Sequence, residues 1–312
     1  MFIKSDFYRL GWSTWIVGKC FWVETGGPLF LKLQANQYSL DVPFPSPKKI
    51  WGVVIGLKGR KTSSATLGVY RTLPLSEKLH QALVFCAGRG KRVECPELTG
   101  VDAFGKPLKG PHEHAHILPL DLDGDEKVEL FLVWASMGLG EVAQNALATV
   151  QIPWNKGTVF DLRVFRNKED LWNRMANTRQ ASERRNGEAM RKLMGCFHGG
   201  YKGACLWKSL TPFVPPRYLK RRGNNSLEGQ IQAELASRGF PRAESIEVLE
   251  GETEKMGAFI KVRSRGNKKP PVNHGFALRI ELRKPLLGPL CLGYASHFGM
   301  GVFQADSGVA SS

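Results

Sequence analysis

The sequence predicts an α+β fold of two tandem ferredoxin-like domains, and three observations predict it. Between Trp51 and Phe165 apolar alternation and 3/4-spaced apolar runs succeed one another in the order β-α-β-β-α-β. After Leu206 a similar series of strands returns around a helix, without an obvious second helix. The length of 312 residues and the hydrophobic fraction of 42 % are enough for two such cores.

In chain order, residues 1–50 are rich in aromatics and end in the prolines Pro43, Pro45 and Pro47, which read as a linker or edge loop; the role of this segment is not legible. The first domain, 51–205, opens with a strand at Gly52–Leu57. A helix follows through Leu79, Ala82, Leu83 and Cys86, with Ser76 as its cap. Runs at His112–Asp121 and Val128–Trp134 flank Asp123-Gly124 and read as a hairpin. Glu141–Val150 has helical period and Thr158–Phe165 alternates. The second domain, 206–312, has a strand at Leu206–Val214 and a helix at Ser226–Arg238 stopped by Gly239 and Pro241. Further strands are expected at Ser245–Leu249, Ala258–Val262 and Phe276–Leu282, before a glycine-rich terminus that frays beyond Gly308.

Charge narrows the function. The chain carries 44 Lys and Arg against 28 Asp and Glu, a formal +16, with a pI near 9.7, so a polyanion is the expected partner. The excess is concentrated: residues 156–222 hold sixteen Lys and Arg but five Asp and Glu. Within it, 173–193 is Arg-rich and weakly periodic, an exposed basic helix or a loop that orders on a partner. Six single cysteines (Cys20, Cys86, Cys95, Cys196, Cys205, Cys291) form no C-x-x-C pair and read as reduced thiols of a cytoplasmic protein. Lys19 interrupts the first apolar stretch, no small-x-small cleavage site follows, and no window reaches membrane-spanning length; neither export nor a membrane is expected.

The strongest local signal is Gly288-Pro-Leu-Cys-Leu-Gly293-Tyr-Ala-Ser-His297-Phe-Gly299-Met-Gly301-Val-Phe. Glycines at 293, 299 and 301 can bring backbone N–H groups to a phosphate, with Tyr294 and His297 adding stacking or donor capacity. A tight connection between two strands explains the same pattern. Gly293-x5-Gly299-x-Gly301 near the terminus resembles the glycine-rich loop of the repeat-associated RNA-binding (RAMP) superfamily of CRISPR systems, built from ferredoxin-like or RNA-recognition-like units. With Trp207-Lys-Ser-Leu-Thr-Pro-Phe213-Val-Pro-Pro-Arg217-Tyr-Leu-Lys220-Arg-Arg and His112-x-His-Ala-His-x-Leu-Pro-Leu-Asp-x-Asp-Gly-Asp125, it is similar to the RNA-processing half of the subtype I-U (I-G) fusion protein. The resemblance covers about residues 65–304. Family members carry a backbone-capping subunit ahead of this half; about sixty residues stand in its place here.

The resemblance implies a metal-independent endoribonuclease of antiviral defence that cuts precursor CRISPR RNA within the repeat. The ribose 2′-OH attacks the adjacent phosphate, leaving a 2′,3′-cyclic phosphate, and the enzyme stays on the guide RNA beside the other subunits of a type I effector complex. No cofactor is implied. Imidazole suits the acid and base roles. His112, His114 and His116 fall at alternate positions of a predicted strand, hence on one face, and His297 lies in the glycine loop. All four are catalytic candidates, with hydrogen bonding to Asp121 or Asp123 as the structural alternative. His80 is a weaker candidate that reads as a half-buried helix residue.

A metal-dependent hydrolase on the histidine run is a further reading. Ligands about 7 Å apart on a flat strand suit a tetrahedral site poorly, and Asp121-x-Asp-Gly-Asp125 reads as a turn. Arg217, Tyr218, Lys220, Arg221 and Arg222, stiffened by Pro212, Pro215 and Pro216, suit phosphates and a stacked base, or are a solvated charge run. Arg184-Arg185 and Arg191-Lys192 are weaker candidates of the same kind. A non-catalytic guide-RNA-binding subunit keeps the fold and the RNA without turnover.

Overall fold

The computed structural model describes residues 20–23, 30–35, 38–43, 50–58, 68–91, 93–110, 112–121, 126–128, 130–150, 159–165, 199 and 202–306. The expectations for Arg184, Arg185, Arg191, Lys192, Asp123, Asp125 and the terminal tail fall outside them. The N-terminal segment contributes a three-stranded antiparallel sheet of β1 (Cys20–Val23), β2 (Phe30–Ala35) and β3 (Tyr38–Pro43), which the sequence reading did not anticipate.

The first α+β unit runs β4 (Ile50–Lys58), α1 (Thr72–Gly88), a one-turn α2 (Pro96–Thr99), β5 (His116–Leu120), β6 (Leu130–Leu139), α3 (Glu141–Thr149) and β7 (Val159–Phe165). Its sheet order β5-β6-β4-β7, antiparallel throughout, is that of the split β-α-β, or ferredoxin-like, unit. β5 pairs with β6 from His116 opposite Trp134 to Leu120 opposite Leu130, the expected hairpin. As an edge strand it accommodates Pro119. α1 starts at Thr72, four residues before the expected cap, because Pro74 needs no hydrogen-bonded N–H in a first turn. Ser76 is therefore inside the helix, where its hydroxyl donates to the Ile117 carbonyl at 3.0 Å. Leu75, Leu79 and Leu83 carry the buried face of α1 onto Ile117, Phe131 and Val133, each such side chain contributing about 1.5–3 kcal/mol.

The second unit comprises β8 (Ala204–Ser209), α4 (Leu227–Ser237), β9 (Ala243–Val248), α5 (Glu250–Met256), β10 (Leu278–Leu286), β11 (Leu290–Cys291) and β12 (Val302–Ala305). The order β11-β12-β8-β10-β9 repeats the first unit's pattern, with β11 added outside β12. Ser226 caps α4 by accepting from the Gly229 N–H at 3.0 Å. Two expectations are corrected. β8 ends at Ser209, because the N–H groups of Leu210 and Thr211 both turn to the Val302 carbonyl. Ala258–Val262 is not a strand: Phe259 is drawn into the contact between the units, and the Ile260 N–H donates to the Tyr70 carbonyl.

The units share a core. Leu73 from the first packs with Val214, Met256, Phe259, Ala277 and Met300 from the second. The Glu77 carboxylate, buried in α1, accepts from Arg263 Nε and from the Ser264 N–H, both at 2.6 Å. A buried carboxylate so paired fixes the approach of the two units, and removing one partner would strand the other charge. Cys86, Cys95, Cys205 and Cys291 are free thiols. Among the described residues no helix is long and apolar enough to cross a membrane.

Candidate functional site

Two irregular segments meet where the units join. Ahead of β5, His112 adopts left-handed backbone (φ 56°), the Glu113 carbonyl accepts from the Met137 N–H, and the Ala115 N–H donates to the Glu97 carbonyl at 2.7 Å. Only His116 belongs to a strand. The expectation of three histidines on one strand face is therefore corrected; a left-handed residue and a tie to α2 shape 112–115 as a loop. From the other side, a short 3₁₀ turn at Ser296–Phe298, between left-handed Ala295 and Gly299, carries His297 against the first unit.

The four candidate histidines are nonetheless brought together. His297 stacks on His114 (centroids 3.7 Å apart, planes at 13°) and lies 3.9 Å from His116, which stacks on Trp134 at 4.7 Å. His297 Nδ1 is 3.2 Å from the Ala115 carbonyl oxygen, and its Nε2 is 3.3 Å from His112 Nδ1. A carbonyl can only accept, so His297 carries its proton on Nδ1 and offers the Nε2 lone pair. His112 must then donate from Nδ1. The remaining atom of the chain, His112 Nε2, is an acceptor on an exposed residue.

Electrostatics favours neutral rings. Loss of solvation, then the Arg238 charge, lowers the His112 pKa below its usual range. Burial, with His112 next, brings His114 down to about 4. His116 and His297 are held well below 6.5, chiefly by burial and then by neighbouring imidazoles. Among the described residues no three His, Cys, Asp or Glu side chains are grouped to hold a metal ion. The rings of His112, His114 and His116 each pack against His297.

A pocket of about 150 Å³ opens beside His112. His116 and Trp134 of the first unit and Phe240, Leu287 and Pro289 of the second wall it, with Glu113, Ser136 and Arg238 as polar groups. Arg238, just past α4, has a side chain only 5 % exposed. Its Nη1 donates to the Glu234 carboxylate and carbonyl, both at 2.9 Å, and its Nη2 to the Ser296 hydroxyl at 3.2 Å. The buried Nε–H has no acceptor among the described residues. The sequence reading missed Arg238, taking it for a helix end; the signal was an arginine at a helix terminus whose next turn inward is Glu234.

The basic loop is exposed as expected: Arg217, Tyr218, Lys220, Arg221 and Arg222 all face solvent. Its anchor was missed. Fully buried Gln230 accepts from the Arg217 N–H and donates to the carbonyls of Arg217, Tyr218 and Asn225 at 3.0–3.4 Å. The glycine run departs from its expectation. The Gly293 N–H donates to Glu234 Oε2, that of Tyr294 to the Val214 carbonyl and that of Gly301 to the Pro212 carbonyl, so these groups are turned inward. The glycines answer to packing: at Gly299 (φ 78°) a Cβ would lie 2.7 Å from Thr72 and 2.8 Å from Pro119. The Tyr294 hydroxyl donates to the Lys268 carbonyl. His80, half-buried on α1, meets the Leu98 carbonyl at 2.8 Å and the edge of Phe298.

No family model matches the sequence, and no curated protein matches it. Among solved structures the chain is similar to a Cas6-related protein of Pyrococcus furiosus, with a TM-score of 0.38 and 10 % identity over 83 % of this chain and 99 % of that one. It is also similar to a Cas6 product complex, with a TM-score of 0.37 and 15 % identity over 82 % of this chain and 98 % of that one.

Proposed function

We propose that the chain is a metal-independent endoribonuclease that cuts precursor CRISPR RNA within the repeat and stays on the guide RNA as part of a type I effector complex. The observation that carries this reading is the chain of contacts from the Ala115 carbonyl through His297 to His112, which leaves His112 Nε2 as an oriented proton acceptor at an exposed edge. The three motifs quoted above and the basic loop support an RNA substrate.

In this mechanism His112 Nε2 takes the proton of the 2′-OH and the oxygen attacks the adjacent phosphorus. The bond to the 5′ oxygen breaks, that oxygen takes a proton from a water at the open mouth, and the hydroxide left behind takes the proton from the His112 imidazolium, which restores the base. His297 is a positioning residue: its Nε2 fixes the tautomer of His112 and supports the imidazolium as it forms. Arg217, Lys220, Arg221 and Arg222 bind phosphates along the strand, and Tyr218, 74 % exposed, offers a stacking face.

Incubating the pure protein with repeat RNA in EDTA tests the proposal. The expected products end in a 2′,3′-cyclic phosphate and a 5′-OH, and a 2′-deoxy substitution at the scissile nucleotide abolishes them. Cutting that survives this substitution contradicts the mechanism. Tight, salt-sensitive binding with no product selects the non-catalytic guide-RNA-binding subunit, a reading favoured by the close packing of His114 and His116 against His297.

A further inference from the structure

We infer that the pocket beside His112 binds one unstacked nucleobase of the RNA, and that the base is guanine. This rests on the reading just given and adds to it the nucleotide next to the reacting linkage. At about 150 Å³ the pocket has room for a single heterocycle, and Trp134, Phe240, Leu287 and Pro289 give it apolar walls of the kind that hold an extruded base.

Arg238 is held rigidly by Glu234 and Ser296, so little freedom remains to be lost when a ligand arrives, and its buried Nε–H lacks an acceptor among the described residues. A bound group should therefore supply one. A phosphate is the poorer occupant: the Arg238 charge is already matched by Glu234 at 2.9 Å, and a second carboxylate, Glu113, lines the same pocket. A base edge carrying both acceptors and donors suits an arginine and a carboxylate together. Guanine offers O6 and N7 to the guanidinium, and N1–H and the N2 amine to Glu113.

Ligand-observed NMR titration of the full chain with guanosine, adenosine, cytidine and uridine 5′-monophosphates tests this without any bond being cut. All four carry the same phosphate, so differences among them report the base. Guanosine monophosphate should bind about tenfold tighter than the others, and inorganic phosphate should not displace it. Arg238→Lys, which keeps the charge and removes Nε, should erase the preference. Ser136→Phe, placed at an exposed rim position, should block binding by filling the pocket, and it remains informative if Arg238→Lys fails to fold. Equal binding of the four nucleotides, indifference to Ser136→Phe, or displacement by phosphate would each overturn the inference. Guanosine preference in a protein that cuts no RNA would sink the cleavage reading alone; cleavage without the preference would sink only the base pocket.

Discussion

The two α+β units share a strand order and differ in one connection. In the first, the chain between β6 and β7 forms α3, whose Ala143, Ala146 and Leu147 cover the sheet. In the second, the corresponding stretch from β10 to β12 contains no α-helix; it makes β11 and then the glycine-punctuated 3₁₀ turn that crosses to Thr72, Pro119 and Ala115. A helix there would have buried its side chains on its own sheet. Without one, His297 reaches the other unit, so the less complete repeat is the one that brings the fourth imidazole to the histidine loop. Breaking that crossing should cost activity before it costs the fold.

The largest effect is expected for His112→Ala. Its exposed side chain supports no core, so RNA affinity should hold while single-turnover cleavage falls by about 10²- to 10⁴-fold; an unchanged rate would remove His112 from the mechanism. His297→Gln, which retains a side-chain amide, should lower kcat by about tenfold or more with little change in KM. Both rings have lowered pKa values, so the neutral base is already in place near pH 6.5: the wild-type rate should rise with pH below about 6.5 and level off above it, and His297→Gln should displace that rise. A variant whose whole loss lies in KM would point to a packing role.

Below these comes stability at the junction. Four imidazoles have folded pKa values below the unfolded value of about 6.5. As pH falls below 6.5 the unfolded chain takes up protons first, so stability present above 6.5 is lost toward and through the folded values, about 4 for His114. Tm should fall over that window in wild type and less in His114→Ala; a flat Tm would contradict the burial of these rings. Gln230→Leu should cost about 1–3 kcal/mol by leaving loop backbone groups unpaired and should weaken RNA binding without changing the cleavage rate of bound RNA. Smallest are Arg221→Ala and Arg222→Ala, each expected to reduce the slope of log K against log salt by about 0.7.

The element order was legible because each element advertises its period: the strands at 52–57 and 158–165 and the helices at 141–150 and 226–238 all lie within a few residues of their expected places. Errors arose where tertiary contacts overrode local pattern. Phe259 and Ile260 look like strand residues, yet their apolar surface is spent on the contact between units. The histidines were recognisable by number and spacing, but their meeting depends on His297 from some 180 residues away and on left-handed backbone at His112, neither of which alternation encodes. Arg238 and Gln230 were illegible for a simpler reason: both sit on or just past a helix with polar neighbours, and only the fold decides which polar residue is buried.

The ring ¹⁵N spectra of the histidines near neutral pH test the central claim most directly. The account predicts His297 protonated at Nδ1, and His112 protonated at Nδ1 with a bare Nε2, the second signature disappearing in His297→Gln. A His112 protonated at Nε2 in the wild-type protein, or one whose tautomer ignores the loss of His297, would contradict it.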